Sequence, residues 1–240
     1  MGLGVPADVS VILPTYEERE NIGPLIEGVA SVVPGLKEII VVDDDSPDET
    51  WRVAEEKRSS FSALQVIRRT NDRGLTSAIR DGVRASTGDV LVWMDCDLSM
   101  RPADIPRLIE AIDRGSDVAV GSRFVPGGAD VRDVTLHRFL SWIICRFGHF
   151  MLRGMVRDCT SGFIALRREV LQGFSWDANY GEYFLSLISH ANAKGFDIQE
   201  VPYTLYSRAS GYSKTATRPL DFFVKGRKYV WAVLRLRFGR

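Results

Sequence analysis

Two aspartate clusters stand directly after two apolar runs. Glu38–Val42 (EIIVV) leads into Asp43-Asp44-Asp45, and Val90–Met94 (VLVWM) leads into Asp95-Cys96-Asp97. Gathering carboxylates raises the Coulomb energy unless a cation is present. In extended backbone, Asp-x-Asp sends both side chains to one side, because the strand period is two. Oxygen ligands of this kind suit Mg²⁺ or Mn²⁺, and Mg²⁺ is commonly held by one or two carboxylates together with substrate phosphates. Asp-x-Asp alone is a weak signal. The competing reading is helix capping, which fits Ser46 or Asp48 in Ser46-Pro47-Asp48-Glu49 better than it fits Asp95 and Asp97. Cationic and polar candidates also follow a pattern. Arg123 comes after the run Asp117–Val120, and His137, Arg138 and Ser141 lie close together on a helical stretch, where their donors could converge on an anion.

Those clusters matter only if the chain brings strand ends to one edge. Val9–Leu13, Glu38–Val42, Leu64–Ile67, Val90–Met94 and Asp117–Val120 are short runs apolar at successive positions, as in a sheet covered on both faces. Helical patterns over Glu20–Val32, Asp48–Arg58, Thr76–Ala85 and Ala103–Arg114 separate them. The alternation predicts an α/β doubly wound fold, whose ligands bind outside the carboxyl ends of the strands. Beyond this, helices are expected over Thr135–Arg153, Gly181–Lys194 and from about Leu220, with short strands at Gly162–Leu166 and Phe196–Tyr203. The expected layout is one domain over 1–206 and a basic appendage over 207–240.

The 240 residues are 45% hydrophobic and 26% charged, a mix that excludes disorder, collagen and coiled coil. No run free of Asp, Glu, Lys and Arg exceeds the 11 residues Tyr183–Ala193, so no transmembrane helix is expected. The N-terminal residues lack the basic start of a secretory signal. Cys96, Cys145 and Cys159 have no CxxC spacing, which points to a reducing compartment. G-x-G-x-x-G and the P-loop pattern are both absent, against a dehydrogenase or a P-loop enzyme. A receiver domain would be about half as long, with acidic residues after its first strand.

Net charge is zero, yet Ser207–Arg240 holds nine basic residues and one acidic, Asp221. Such a block suits an anionic surface, while the acidic remainder argues against nucleic acid. On a helix Leu220, Phe223, Val224, Val230, Trp231, Leu234 and Phe238 share one face and Lys225, Lys228 and Arg235 another, with Arg227 near the apolar stripe. The helix either lies in a membrane interface or packs on the domain. Phe139, Leu140, Trp142, Ile143, Phe147, Phe150 and Met151 give the Thr135–Arg153 helix the same two readings.

The motifs VSVILPTYEERENI, IIVVDDDSPDET, RGLTSAIRDGVRASTGDVLVWMDCDLS, VGSRF, DCTSGF and EVPYTLYSRASGYSK occur in one order. In this the chain resembles the dolichol-phosphate mannose synthases, inverting family 2 glycosyltransferases of the GT-A fold, over nearly its full length. The resemblance implies a Rossmann-like, mostly parallel sheet with helices on both faces. It implies that Pro14, Tyr16 and Glu18 help hold the nucleoside, that Val42 and Asp44 contact base or ribose, and that Gly74 in Arg73-Gly74-Leu75 lies near the nucleotide. Asp95 and Asp97 match the metal-binding pair that holds the diphosphate and sugar, with Ser99 where some members offer a longer polar side chain. Arg123, Ser141, Arg208 and Lys214 match acceptor-phosphate positions, and either His137 or Arg138 takes the place of a further arginine. Asp158, Thr160 and Ser161 would line the cavity wall. Asp97, Arg123, Arg208 and Lys214 form the implied catalytic set. Asp45, Glu49, Cys96 and Ser99 depart from the pattern; Asn is common at 45 and Gly at 49.

What this implies is transfer of mannose from GDP-mannose to dolichyl or another polyprenyl phosphate, with Mg²⁺ or Mn²⁺, at the cytoplasmic face of a membrane. A separate membrane-anchoring subunit is a possible partner. The rival readings are a polyprenyl-phosphate glucosyl- or aminosugar transferase using a UDP-sugar, and a non-catalytic nucleotide-sugar or lipid-carrier binding protein.

Overall fold

A computed structural model describes residues 8–133, 135–177, 182–211 and 219–238, the side chains of 135–137 and 219–228 excepted. The first half follows the expected alternation: β1 (Val9–Thr15), α1 (Arg19–Val32), β2 (Leu36–Asp43), α2 (Thr50–Lys57), β3 (Leu64–Arg68), α3 (Leu75–Ala85), β4 (Val90–Trp93), α4 (Ile105–Asp113) and β5 (Val118–Ser122). There follow β6 (Ala129–Asp130), α5 (Thr135–Met151), β7 (Ile164–Arg167), α6 (Glu182–Ala193), β8 (Ile198–Pro202), β9 (Thr204–Leu205) and α7 (Pro219–Phe238).

Seven strands form one sheet in the order β3-β2-β1-β4-β7-β5-β8. All neighbours are parallel except β7, which runs antiparallel between β4 and β5, with Ile164 opposite both Trp93 and Val120. Apolar periodicity carries no information about direction, so this inserted strand was not legible beforehand. A second, two-stranded sheet pairs β6 with β9.

Alternation along each strand divides the core into two layers. Val9, Val11, Leu13, Ile39, Val41, Val90 and Val92 pack toward α1 and α4. Ile12, Ile40, Val42, Leu91 and Trp93 pack on the other face, toward α3, α5, α6 and α7. There Gly82 of α3 lies so close to the sheet that a Cβ would sit 2.4 Å from the Ile12 side chain, so only glycine lets the helix approach. Trp93 is 1% exposed, and its indole N–H donates to the buried Tyr183 hydroxyl over 2.9 Å.

The expected appendage is not one. Val233 of α7 is fully buried in the second core layer, with Tyr229, Ala232 and Leu236 packed around it. Val230, Trp231 and Phe238 remain exposed, so this helix packs on the domain along one side and presents apolar residues on another. Leu220, Phe223, Val224, Lys225, Arg227 and Lys228 have side chains outside the described residues. No described helix is long and apolar enough to cross a membrane.

Candidate active site

The parallel register carries the strand ends to one edge: Thr15 of β1 stands opposite Asp43 of β2, and Asp43 opposite Arg68 of β3. β4 stops at Trp93, two residues before the aspartate pair, and Asp95-Cys96-Asp97 enters a turn. The expectation of two side chains aligned by an extended strand is therefore corrected. Leu98 at φ +61° turns the chain at once, and Ser99 donates its N–H (3.0 Å) and hydroxyl (2.5 Å) to Asp97 Oδ1. Ser99 is buried and orients Asp97. Asp95 is open to solvent from the cleft but otherwise surrounded by protein, and no described side chain or amide donates a hydrogen bond to it. Desolvation, then the adjacent Asp97 charge, pushes its carboxyl up to about 7.

Two more groups close this acidic corner. Glu18, at the start of α1, is buried, and its Oε2 accepts from Asn21 Nδ2 at 2.7 Å. Arg208 reaches in from the segment after β9, placing Nη1 2.6 Å from Glu18 Oε1 and Nη2 3.1 Å from Asp97 Oδ2. The segment is tied down by its backbone, Tyr206 N–H to Ser99 O (3.0 Å) and Ala209 N–H to Asp97 O (3.1 Å). Glu18 and Asp97 thus share one guanidinium, which leaves the three-carboxylate corner net negative and Asp95 without a donor. Among the described residues no three His, Cys, Asp or Glu side chains converge on a metal position. The donor set fits a divalent cation held by Asp95 and Asp97 and completed by substrate phosphate oxygens.

The other end of the edge is a cavity of about 400 Å³ lined by Tyr16, Asp45, Ser46, Pro47, Glu49, Trp51, Arg68 and Arg73. Asp45 accepts from Arg68 (2.6 Å) and Arg73 (2.7 Å), and Arg68 lies over the Trp51 ring at 4.3 Å. Asp44 faces inward: Oδ2 accepts the Gly74 N–H at 2.7 Å, and Oδ1 is paired with the buried Arg69. Arg69 also holds Asp81 at 3.0 Å, so β2, β3 and α3 are tied together. Gly74 at φ +141° opens α3 in a conformation that L side chains rarely adopt. Pro14 accepts a weak Cys96 thiol contact (3.2 Å) through its carbonyl. Val42 is corrected. Its side chain is fully buried against α3, because it stands within the strand and not past its end. Asp45 (φ +57°) and Glu49 (φ +62°) both sit in the left-handed region, where Asn and Gly are the least strained residues.

Arg123 is not free for a ligand. Its guanidinium is 3% exposed, fixed by Asp158 at 2.7 Å through both Nε and Nη2, by Thr160 at 2.7 Å, and by Asp130 at 3.4 Å. Ser161 is buried nearby in the chain. Burial pushes the Asp130 carboxyl up, but Arg132 and then Arg123 together outweigh it and hold it below its ordinary value. Arg132 lies 3.5 Å from Ser141 Oγ, and so shares its position with the acceptor candidates. Arg138 is exposed; the His137 side chain and Lys214 lie outside the described residues. Sequence reasoning missed Arg69 and Arg132. The rule that found the aspartates, polar residues just past a strand end, would have found Arg69 after Leu64–Arg68.

Residues 10–174 match the family described as Glycosyl transferase family 2. The chain belongs to glycosyl transferase family 2. It is 42% identical over 209 residues to a dolichol-phosphate mannosyltransferase of Pyrococcus furiosus, which covers 86% of this chain and 58% of that protein. Less than two thirds of that relative is thus represented. It is 40% identical to a polyprenol monophosphomannose synthase of Mycolicibacterium smegmatis (85% of this chain, 79% of that one). It is 35% identical to an undecaprenyl-phosphate mannosyltransferase of Micrococcus luteus (86% of each). Among solved structures, the glucosyl-3-phosphoglycerate synthase of Mycobacterium tuberculosis with Mn²⁺, UDP and glucosyl-3-phosphoglycerate superposes with a TM-score of 0.71. It covers 96% of this chain and 80% of that one at 22% identity, a likeness of fold.

Proposed function

We propose that this family 2 glycosyltransferase moves a mannosyl group from GDP-mannose to the phosphate of a polyprenyl phosphate, with inversion at the sugar's anomeric carbon. The observation that carries it is the acidic corner of Asp95, Asp97 and Glu18, in which Arg208 bridges Glu18 and Asp97 while Asp95 stays without a partner among the described residues. Three mannosyltransferase relatives at 35–42% identity support the sugar and the lipid class.

A phosphate monoester has a second pKa of about 6, so at neutral pH the acceptor oxygen is already an anion and needs no general base. The work left to the chain is positioning and charge balance. A divalent ion bound by Asp95 and Asp97 would stabilise the departing diphosphate as a Lewis acid. Tyr16 and the Trp51–Arg68 wall receive the nucleoside, and Asp44 holds the Gly74 turn beside it. Arg208, whose guanidinium already reaches Glu18 and Asp97, would offset the repulsion between donor and acceptor phosphates. Arg123 positions the acceptor wall through Asp158, Asp130 and Thr160. Arg132, 3.5 Å from Ser141 Oγ, would hold the acceptor phosphate together with Ser141. Exposed Phe139, Trp142, Ile143 and Phe150 on α5, and Trp231 and Phe238 on α7, support contact with a membrane surface, and no described helix is long and apolar enough to span one.

The test is a donor screen with labelled GDP-mannose, UDP-glucose and UDP-GlcNAc, polyprenyl phosphate and Mn²⁺. Label should enter the organic phase from GDP-mannose. Transfer from a UDP-sugar alone would replace the donor, and tight donor binding with no lipid product would favour a binding protein.

A further inference from the structure

A cavity of about 380 Å³ lies beside α5, lined by Phe124, Trp142, Cys145, Arg146, His149 and Arg157. Positions 142, 145, 146 and 149 follow helical spacing, so one face of α5 forms its wall. The charge inside is unbalanced. Arg146 and Arg157 are exposed, no carboxylate lines the cavity, and among the described residues neither guanidinium has an ion-pair or hydrogen-bond partner. At the cleft, in contrast, Arg68, Arg69, Arg73, Arg123, Arg132 and Arg208 each hold a carboxylate. The nearby acids are already committed: Glu200 accepts the backbone N–H groups of Arg157 (2.8 Å) and Asp158 (3.0 Å), and Asp158 itself holds Arg123. His149 Nδ1 lies 3.0 Å from the Val156 carbonyl, which can only accept, so this nitrogen carries a proton and the ring is fixed.

An apolar stripe on α5 adjoins the cavity at Trp142. Trp142 is 48% exposed and stacks with Phe139 at 6.2 Å, and Ile143 and Phe150 continue the same stripe along α5. We propose that this cavity binds the phosphate-bearing headgroup of an anionic membrane phospholipid, at a site separate from donor and acceptor. Guanidinium groups match phosphate oxygens in geometry and charge. An acyl body attached to that phosphate covers the exposed Phe139, Trp142 and Phe150, whereas free phosphate leaves them in water. Trp, with an apolar body and a polar tip, suits the level of the headgroups. The inference extends the membrane contact of the proposed function, and its test reads lipid binding apart from sugar transfer.

The full chain is sedimented with phosphatidylcholine vesicles, with and without phosphatidylglycerol. The double variant Arg146→Gln/Arg157→Gln is compared with Arg84→Gln/Arg114→Gln, which removes the same charge from other exposed positions. Wild type should prefer the anionic vesicles. The cavity variant should lose roughly thirty-fold in partitioning, at about fivefold for each cation near the surface, while the control variant keeps its preference. Equal loss in both variants would reduce the effect to net charge, and no loss in either would remove the site. Transfer to acceptor in detergent should be unchanged in the cavity variant; if it falls, the cavity belongs to the acceptor site and the proposal fails. Inorganic phosphate is titrated against tryptophan fluorescence, with Trp142→Phe as reference. Saturation by phosphate without any vesicle preference would make this a free-phosphate site and overturn the lipid assignment.

Discussion

The donor edge and the α5 side of the molecule treat charge in opposite ways. At the edge formed by β1, β2, β3 and β4, nearly every carboxylate has a built-in cation: Asp44 with Arg69, Asp45 with Arg68 and Arg73, Asp97 with Arg208. Asp95 has none, and Asp43 is held by the Ser46 N–H and hydroxyl instead of a cation. Along α5 the cations stand without carboxylates and the aromatic residues stand in solvent. A small ligand with a fixed shape is met by a pre-balanced site in which one interaction is left open. On the proposed reading, a lipid surface, large and soft, is met by residues whose partners lie outside the protein. The difference is physical: ordering a site in advance lowers the cost of binding, but a broad surface gains more from area than from order.

The largest effect that would break this comparison is at the Asp95–Asp97 pair. Exchanging Asp97 for Asn should lower transfer by about a thousandfold or more, roughly 4 kcal/mol of transition-state stabilisation, with the circular dichroism spectrum unchanged. Residual activity near wild type would show that the pair holds no cation.

Next is the buried network that supports the acceptor wall. Arg123→Ala leaves Asp158, 0% exposed, without its partner, and should cost about 3–5 kcal/mol of unfolding free energy. Urea denaturation measures this. A loss below 1 kcal/mol with abolished transfer would instead make Arg123 a ligand for phosphate.

The third is the pH dependence of metal affinity. The Asp95 carboxyl, raised to about 7, is protonated in the metal-free protein below that pH. Mn²⁺ must then displace a proton, so its affinity should fall about tenfold for each pH unit below 7. The sign for stability is opposite. The folded metal-free chain binds a proton more tightly than the unfolded one, so the stability from this group declines as pH rises from about 4 to 7. Titration by electron spin resonance checks the first and thermal melts the second. Flat affinity between pH 5.5 and 8 would exclude Asp95 as a ligand.

The smallest effect concerns Arg208. Its guanidinium occupies Asp97 where a cation would bind, so Arg208→Gln should tighten Mn²⁺ binding severalfold without nucleotide while slowing transfer. If both weaken together, Arg208 only holds the site in shape.

How far the sequence could be read follows from which interactions are local. Runs such as VSVIL and VLVWM, apolar at every position, announced buried strands and the sheet edge, because only a sheet covered on both faces tolerates them. The aspartates after those runs announced the candidate site, since each lies within a few residues of the strand that places it. Asp95 and Asp97 needed no knowledge of the rest of the chain.

Other decisions depended on residues far apart in sequence. Arg208 closes on Glu18 across 190 positions, and no local pattern distinguishes it from a solvated arginine. Val42 and Asp44 lie on the same face of β2, but Val42 stands within the strand, buried against α3, while Asp44 lies past its end and meets Arg69 and the Gly74 N–H. The antiparallel entry of β7 and the double-sided packing of α7 are choices among pairings that the same apolar pattern permits equally. Periodicity tells which face of an element is buried; only the assembled chain, by satisfying every strand edge and buried charge together, selects the partner.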